Sequence, residues 1–588
     1  MAVAINGSKD WGIVPLDWSG SQLSYMSYDF RDNYLKSAND QLRYQVIWNY
    51  NGYTEGTEPS VYKDVVNVVF KVETSVDNTN WTTIATIKKA RDIANKKYDT
   101  GTQPLGHRFT IDISQLISDQ LSYSLCPINK GTWQGSFYGG MNGGLTMQDN
   151  VINGNSVSGG SPLSKYNVSD NGTFRRVRVS ATFEIIGSTG ELELSSTTLG
   201  AAPKITAINS VNQFERDSVY YDKYNVDYYT GYKFLTRCPN FSGGGVTNDF
   251  KKPVRIDEQA EWLQFYIRRN YSDDIRTGVD DIVGADGIKI VTYESDGSNN
   301  TFYLRDFEDN LLTDVVSSYT IPSDSQNQMF IQNISPYYII NSGKVWQPDT
   351  PRTTTNYPYW NAYTSNTITS NTIYYTAELV KIGMWSPYSE KQVTNSYKYT
   401  IDRENENIPY GYVRFHWLNS LGGIDSYTAE RDIVEGLTIS RDVIERKSGD
   451  RTWYQDNQGY QAGTPSYYTL DNSVYISDTM RGGDLYKGGR EVTSVNAERV
   501  QSVYTEPLNE SVAKWLEEML LSPNVWIEKD TEATEKGNLS NPYLRPSTKG
   551  YIPVIITNSD VETVNQAEGL VKFNIEYTLA HKVQTQRN

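Results

Sequence analysis

Tyr412-Val413-Arg414-Phe415-His416-Trp417-Leu418, then Asn419-Ser420-Leu421-Gly422-Gly423, then Ile424-Asp425-Ser426-Tyr427-Thr428: this stretch decides the class of the fold. Val413, Phe415 and Trp417 alternate with Arg414 and His416, the period of a strand with one face buried. The Asn-Ser-Leu-Gly-Gly run tolerates positive φ, so the chain reverses there. Ile424 to Thr428 then returns as the partner strand. A packed aromatic hairpin is core before it is anything else, and nothing in it has the pattern of an active site.

The same signal repeats on both sides of the hairpin. Val66, Val68, Phe70 and Val72 alternate with more polar positions, and the turn Asp77-Asn78-Thr79-Asn80 leads into Trp81 to Ile87. Phe109, Ile111 and Ile113 mark another strand. Val177, Val179, Ala181, Phe183 and Ile185 mark a third, with Arg176 and Arg178 expected to face water. Ile288, Ile290 and Thr292 run into the turn Ser295 to Asn300 and on to Phe302-Tyr303-Leu304, the layout of Val68 to Ile87 again, which suggests a duplicated sandwich. Short strands separated by turn signals are the all-β pattern. One helix is expected, because Leu508, Val512, Trp515, Leu516, Met519 and Leu520 recur at helical spacing. Glu506-Pro507 offers its start and Ser522-Pro523 its end. Strands follow at Val525 to Glu528, at Tyr551 to Thr557 and from Val571 to Leu579.

The fold expected is therefore mainly β, with several antiparallel sandwich-like domains and one small helix-containing C-terminal region. With 588 residues the chain exceeds a single core. The first domain is expected over 1–200, with a Gly/Asn/Ser-rich loop at 131–172 that a neighbouring subunit would order. Ser195 to Pro203, small and neutral, reads as a boundary. A second β domain follows over 201–405, with a polar surface excursion at 341–371. Residues 406–494 hold the hairpin and a Gly/Tyr-rich projecting arm, and 495–588 the helix and closing strands.

Composition narrows the partners. Tyr, at 45 residues against 16 Phe, supplies rings whose hydroxyls reach water or a partner, which suits extended β surfaces and interfaces. A net charge of −16 argues against nucleic acid as the main ligand. No window approaches a membrane span. The N-terminus lacks a basic region followed by an apolar run, so a cytoplasmic protein is expected. Cys126 and Cys238 are expected as free buried thiols in a reducing compartment, with a single bridge between them left open.

Candidate chemistry is sparse. His107, His416 and His581 lie in three separate regions, which argues against a histidine-rich zinc site. His416, between two aromatics, reads as a core or interface histidine. His107-Arg108 is expected just before a strand, at the surface. Cys238-Pro239 has no neighbouring base to activate a nucleophile. Asp280-Asp281, and Asp306 with Glu308, read as solvated turns rather than a glycosidase pair. Asp286-Gly287 and Asp296-Gly297 read as turns rather than calcium loops. The Tyr/Trp/Asn-rich stretches Tyr220 to Tyr232 and Tyr357 to Tyr363 could stack on sugars, but dispersed rings suit protein interfaces better. No cofactor is expected. The residues singled out for packing or an interface are Arg414, Phe415, His416, Trp417, Tyr427, Trp515, Leu516 and Trp526.

Several segments together resemble virion structural proteins of tailed bacteriophages, particularly those of crAss-like and other phages of Bacteroidetes. They are Val413 to Tyr427, Tyr504-Thr-Glu-Pro-Leu508, Trp515-Leu-Glu-Glu-Met-Leu-Leu-Ser-Pro523 and Tyr551-Ile-Pro-Val-Ile555, with Val68 to Trp81 similar to their fibronectin-like strands. These are packing motifs, so no functional residue carries over. The resemblance implies a non-enzymatic collar, ring or tail-adaptor component that binds copies of itself and adjacent tail, collar or fibre proteins. Its location would be the virion, and the host cytoplasm during assembly. A carbohydrate-binding receptor, fibre or baseplate module touching a host glycan is the alternative, and a polysaccharide depolymerase the third reading.

Overall fold

The computed structural model describes residues 13–16, 34–39, 42–49, 65–75, 81–90, 106–121, 174–201, 204–211, 234–242, 249–256, 259, 261–267, 287–304, 328–341, 345–348, 360–382 without 364 and 366, 390–403 without 393, 412–446, 489–530, 549–558, 561 and 569–580. The loop at 131–172, the turn at 77–80, Tyr220 to Tyr232, Asp280-Asp281, Asp286, Asp306, Glu308, Cys126 and His581 lie outside the described residues. The fold is mainly β, built of several largely antiparallel sheets with short helices.

The first region contains β1 (Ile13–Leu16), β2 (Tyr34–Ser37), β3 (Arg43–Asn49), β4 (Val65–Ser75), β5 (Thr82–Ala90), β6 (Gly106–Asp112), α1 (Ser114–Ser118), β7 (Phe174–Ile186), β8 (Leu192–Ala201) and β9 (Ile205–Ile208). The order β1-β3-β6 makes one sheet and β2-β9-β7-β4-β5 the other, with β8 also paired to β7. Tyr44, Val46, Phe109 and Ile111 of the first sheet share a core with Val68, Phe70, Val72, Val177, Val179 and Ile205 of the second. Alternation has aimed one face of each sheet inward, and the two faces close as a sandwich. Three expectations need correction. Ser195 to Ala201 is not a linker but the end of β8, and β9 carries the first region to Ile208. His107-Arg108 lies within β6, not before it. Arg176 is buried rather than facing water, on a stretch of β7 that lies between β9 and β4. Arg178 is half-exposed, pairs with Glu73 at 2.8 Å and lies over the Trp81 ring.

The second region contains β10 (Phe241–Ser242), β11 (Lys252–Arg255), β12 (Trp262–Ile267), β13 (Gly287–Glu294), β14 (Asn299–Leu304), β15 (Gln328–Asn333), α2 (Pro336–Asn341), β16 (Val345–Pro348), β17 (Trp360–Ala362), β18 (Thr372–Ile382), β19 (Glu390–Gln392) and β20 (Ser396–Asp402). A nine-stranded sheet around β18 and β13 packs against the pair β12-β15 through Ile288, Ile290, Phe302, Tyr375, Leu263 and Phe265. Part of 341–371 is sheet rather than surface excursion, since β16 and β17 extend the sheet beyond β14 and Val345 is buried. The β13–β14 turn is explained without a metal. Gly297 has φ +85°, and the Asp296 carboxylate accepts bonds from the Ser298 amide and hydroxyl at 2.8 and 2.6 Å.

The third region contains β21 (Val413–Leu418), β22 (Ile424–Ala429), β23 (Arg431–Arg446), β24 (Gly489–Tyr504), α3 (Glu510–Leu521), β25 (Val525–Asp530), β26 (Lys549–Ile556) and β27 (Asn574–Leu579). They form one seven-stranded sheet in the order β22-β21-β25-β26-β27-β24-β23, with α3 packed on it. A boundary at 494 would cut β24, so segments 406–494 and 495–588 build one sheet. The helix starts after Pro507. The Asn509 side chain accepts from the Val512 amide at 3.0 Å, and Leu508 is held in a bridge to Val571.

The Asn419–Gly423 turn joins all three regions. Asn419 Oδ1 accepts from the amides of Leu421 and Gly423 at 3.0 and 2.9 Å, which folds the turn on itself. A Cβ at Gly423 would lie 2.1 Å from the Leu235 carbonyl oxygen, and one at Gly422 would lie 2.9 Å from that of Asn209. The Val211 amide donates to the Ser420 carbonyl at 2.9 Å. Two glycines stand here because backbone from two other regions passes within contact distance.

Candidate functional site

The hairpin is buried on both faces. All eight residues singled out from the sequence lie in the interior: Arg414, Phe415, His416, Trp417, Tyr427, Trp515, Leu516 and Trp526. One face is aromatic. Phe415 meets Tyr577 edge-on at 5.3 Å, and Trp417 meets Trp515 at 5.2 Å. The other face, carrying the Arg414 and His416 read as core or interface contacts, is covered by Lys252 of β11 and by Glu261 just before β12 of the second region. The reason is a set of matching charges there, far away in sequence.

Arg414 is the hub. Its Nη2 donates to Glu261 Oε2 at 2.8 Å and to Ser426 Oγ at 2.9 Å, and its Nη1 donates to Thr428 Oγ1 at 2.9 Å. Its Nε lies 3.2 Å from Glu528 Oε2, and His416 Nε2 lies 3.0 Å from the same oxygen. Lys252 Nζ donates to Glu261 Oε1 at 2.5 Å and to Ser426 Oγ at 3.2 Å, and stands 5.3 Å from the centre of the Trp515 ring. Register explains the grouping: Arg414 stands opposite both Thr428 and Glu528, and His416 opposite Ser426 and Trp526.

Two cations thus face two carboxylates. The side chains of Lys252, Glu261, Arg414, His416 and Glu528 are 5, 4, 1, 0 and 2% exposed. Charges so far from water persist only when paired. Burial pushes the Glu261 carboxyl up, but Lys252 and Arg414 outweigh it and hold it below the usual carboxylate range. Burial likewise opposes the Arg414 charge, and Glu261 with Glu528 more than restores it. Burial lowers His416 despite Glu528, so its imidazole is neutral at pH 7.

Two further acids lock the adjoining turn. Asp425 Oδ2 accepts from Trp515 Nε1 at 2.9 Å and Asn419 Nδ2 at 3.0 Å, and its pKa is raised by burial. Glu518 on α3 accepts from Ser420 Oγ at 2.7 Å and lies 3.1 Å from Arg237 Nε; burial raises it too. Cys238 is free and buried, and burial pushes its thiol well above the usual value. Chemically, the whole arrangement clamps: it fixes the hairpin to the second region through paired charges.

Among the described residues no group of three or more His, Cys, Asp or Glu side chains is placed to hold a metal ion. A shallow depression beside α2, lined by Ile339, Val345, Tyr363 and Ile368, offers no carboxylate, imidazole or thiol. No helix among the described residues is long and apolar enough to cross a membrane.

The exposed counterpart is the ribbon of β23 and β24. The pairs Leu437–Arg499, Ile439–Ala497, Arg441–Val495 and Val443–Val492 share one face. Gly436–Val500, Thr438–Glu498, Ser440–Asn496 and Asp442–Ser494 share the other. Leu437, Ile439, Val443, Val492 and Val495 are 51, 42, 50, 45 and 45% exposed. Most of the exposed apolar side chains of the ribbon therefore share one face as a row, and the other is largely polar between Val434 and Ile444, the exposed apolar residues towards its ends. The sequence reading saw a polar, Gly-rich arm from Ile433 to Ser494 and missed this row, although the alternation of Leu437, Ile439, Arg441 and Val443 was there to find. It also missed Lys252, Glu261 and Glu528, which no local pattern distinguishes from surface charges.

No protein-family model matches the chain, and no curated protein matches it in sequence.

Proposed function

We propose that this chain is a non-enzymatic virion structural protein of a tailed phage, which assembles as a symmetric ring in the collar, neck or tail and links to neighbouring tail or fibre proteins. One observation carries the reading: the chemistry-bearing side chains are spent inside as a clamp, while exposed large apolar residues run along a ribbon. A buried ion cluster holds regions in fixed relation, and an exposed apolar row is the mark of a surface that meets another protein. The resemblance of Val413 to Tyr427 and Trp515 to Pro523 to phage virion proteins supplies the virion context.

The test is assembly of the purified full chain, followed by sedimentation and negative-stain imaging. Closed rings of fixed copy number are expected. Tight binding on a glycan array by a chain that does not self-associate would replace this reading with the receptor one. Release of sugar from capsule polysaccharide would replace it with the depolymerase.

A further inference from the structure

We infer that β23 is a self-complementary docking edge, along which a second copy of this chain adds its own β23, antiparallel, across a two-fold axis at Thr438. The inference rests on the reading of the chain as a self-assembling structural subunit and names one of its contacts.

β23 ends the seven-stranded sheet, and among the described residues nothing pairs with its outer edge. A long open edge is a template for another strand, and folded proteins blunt or cover it. Here two irregularities, at Arg431/Val434 and at Asp442/Val443, bracket a regular run from Val434 to Asp442. The middle of that run is Thr438.

The charges choose the same centre. With Thr438 opposite Thr438, Glu435 faces Arg441 of the second copy, and Arg441 faces its Glu435. Leu437 faces Ile439 on the same terms. A slip of one residue would set Glu435 against Asp442 and turn each apolar row to face a polar one, because side chains alternate with period two. Opposite charges across paired strands stabilise and like charges destabilise. In a chain of net charge −16, copies repel at long range, so a contact needs local matching of this kind. The pairing would join the two seven-stranded sheets and align their exposed apolar rows on one face. Such a two-fold contact is isologous, so it couples copies in pairs, and a ring must close through a different surface.

Charge exchange in the full-length chain tests this. Glu435→Arg and Arg441→Glu each set like charges opposite one another twice, and each is expected to weaken pairing about tenfold by sedimentation equilibrium. The double variant restores opposite charges and should return to within about threefold of the parent. Glu435 also pairs within the ribbon with Arg499 at 2.6 Å, an exposed contact of small worth, so thermal unfolding should barely change. Should either single variant unfold early, hydrogen exchange on the parent decides: β23 amides that gain protection with concentration support the edge, and amides that do not overturn it. Singles that pair like the parent, or a double no better than the singles, also overturn it. An assembly that persists through all the charge variants sinks this contact alone, whereas a parent monomeric at every concentration sinks the structural-subunit reading with it.

Discussion

Arg414 holds two buried carboxylates at once, and its loss would leave Glu528 without a full cation and Glu261 with Lys252 alone. Breaking a buried pair by removing one partner costs about 3–5 kcal/mol. Arg414→Met should lower stability by that amount in urea unfolding, and adding Glu528→Gln should recover part of it. His416 makes a pH-dependent contribution. Burial holds its pKa below 6.5, so as pH falls through about 6.5 the unfolded chain takes up a proton that the folded chain resists. The unfolded state then binds more protons, and stability falls. Asp425 and Glu518, raised by burial, act oppositely: their contribution is lost as pH rises through their raised values. Comparing His416→Gln with the parent isolates the imidazole. The drop in Tm between about pH 7 and 5.5 should be shallower in the variant, and equal slopes would contradict the assignment. At this scale the sequence told half the story: alternation marked Phe415 and Trp417 as core, and Arg414 and His416 read as core or interface contacts, but their partner could not be named because Glu261 lies 153 positions from Arg414.

At the scale of elements, the hairpin and α3 were legible because each carries its own period. The turn was legible too, through Asn419 and the two glycines. The helix start was misread: Pro507 suits a first turn, yet the bridge of Leu508 to Val571 keeps the chain extended until Asn509 caps it. Asn509→Ala should cost about 1 kcal/mol through the lost cap, visible as a lower unfolding midpoint. Trp417, fully buried against Trp515, is the larger anchor. Trp417→Ala should cost about 3–5 kcal/mol. A variant that melts like the parent would show that the hairpin is peripheral.

For the whole molecule, strand periods revealed a mainly β chain but not how its segments share sheets. Ser195 to Pro203 read as a boundary because the stretch is mostly small and neutral, yet Ser195 to Ala201 belong to β8, whose pairing with β7 is made by its backbone. The break placed at 494 failed because it falls inside β24, which pairs with β23, and because β21 pairs with β25 across a long sequence gap, which no local pattern records. The molecule that results is three cores joined at one turn, sealed by charges inside and carrying an apolar ribbon outside. That distribution is the ground for the central claim, that the protein works by assembling. Imaging the purified full chain over a range of concentrations tests it most directly. Closed rings of a single copy number, appearing as concentration rises, are the expected result; a monodisperse monomer at every concentration would contradict it.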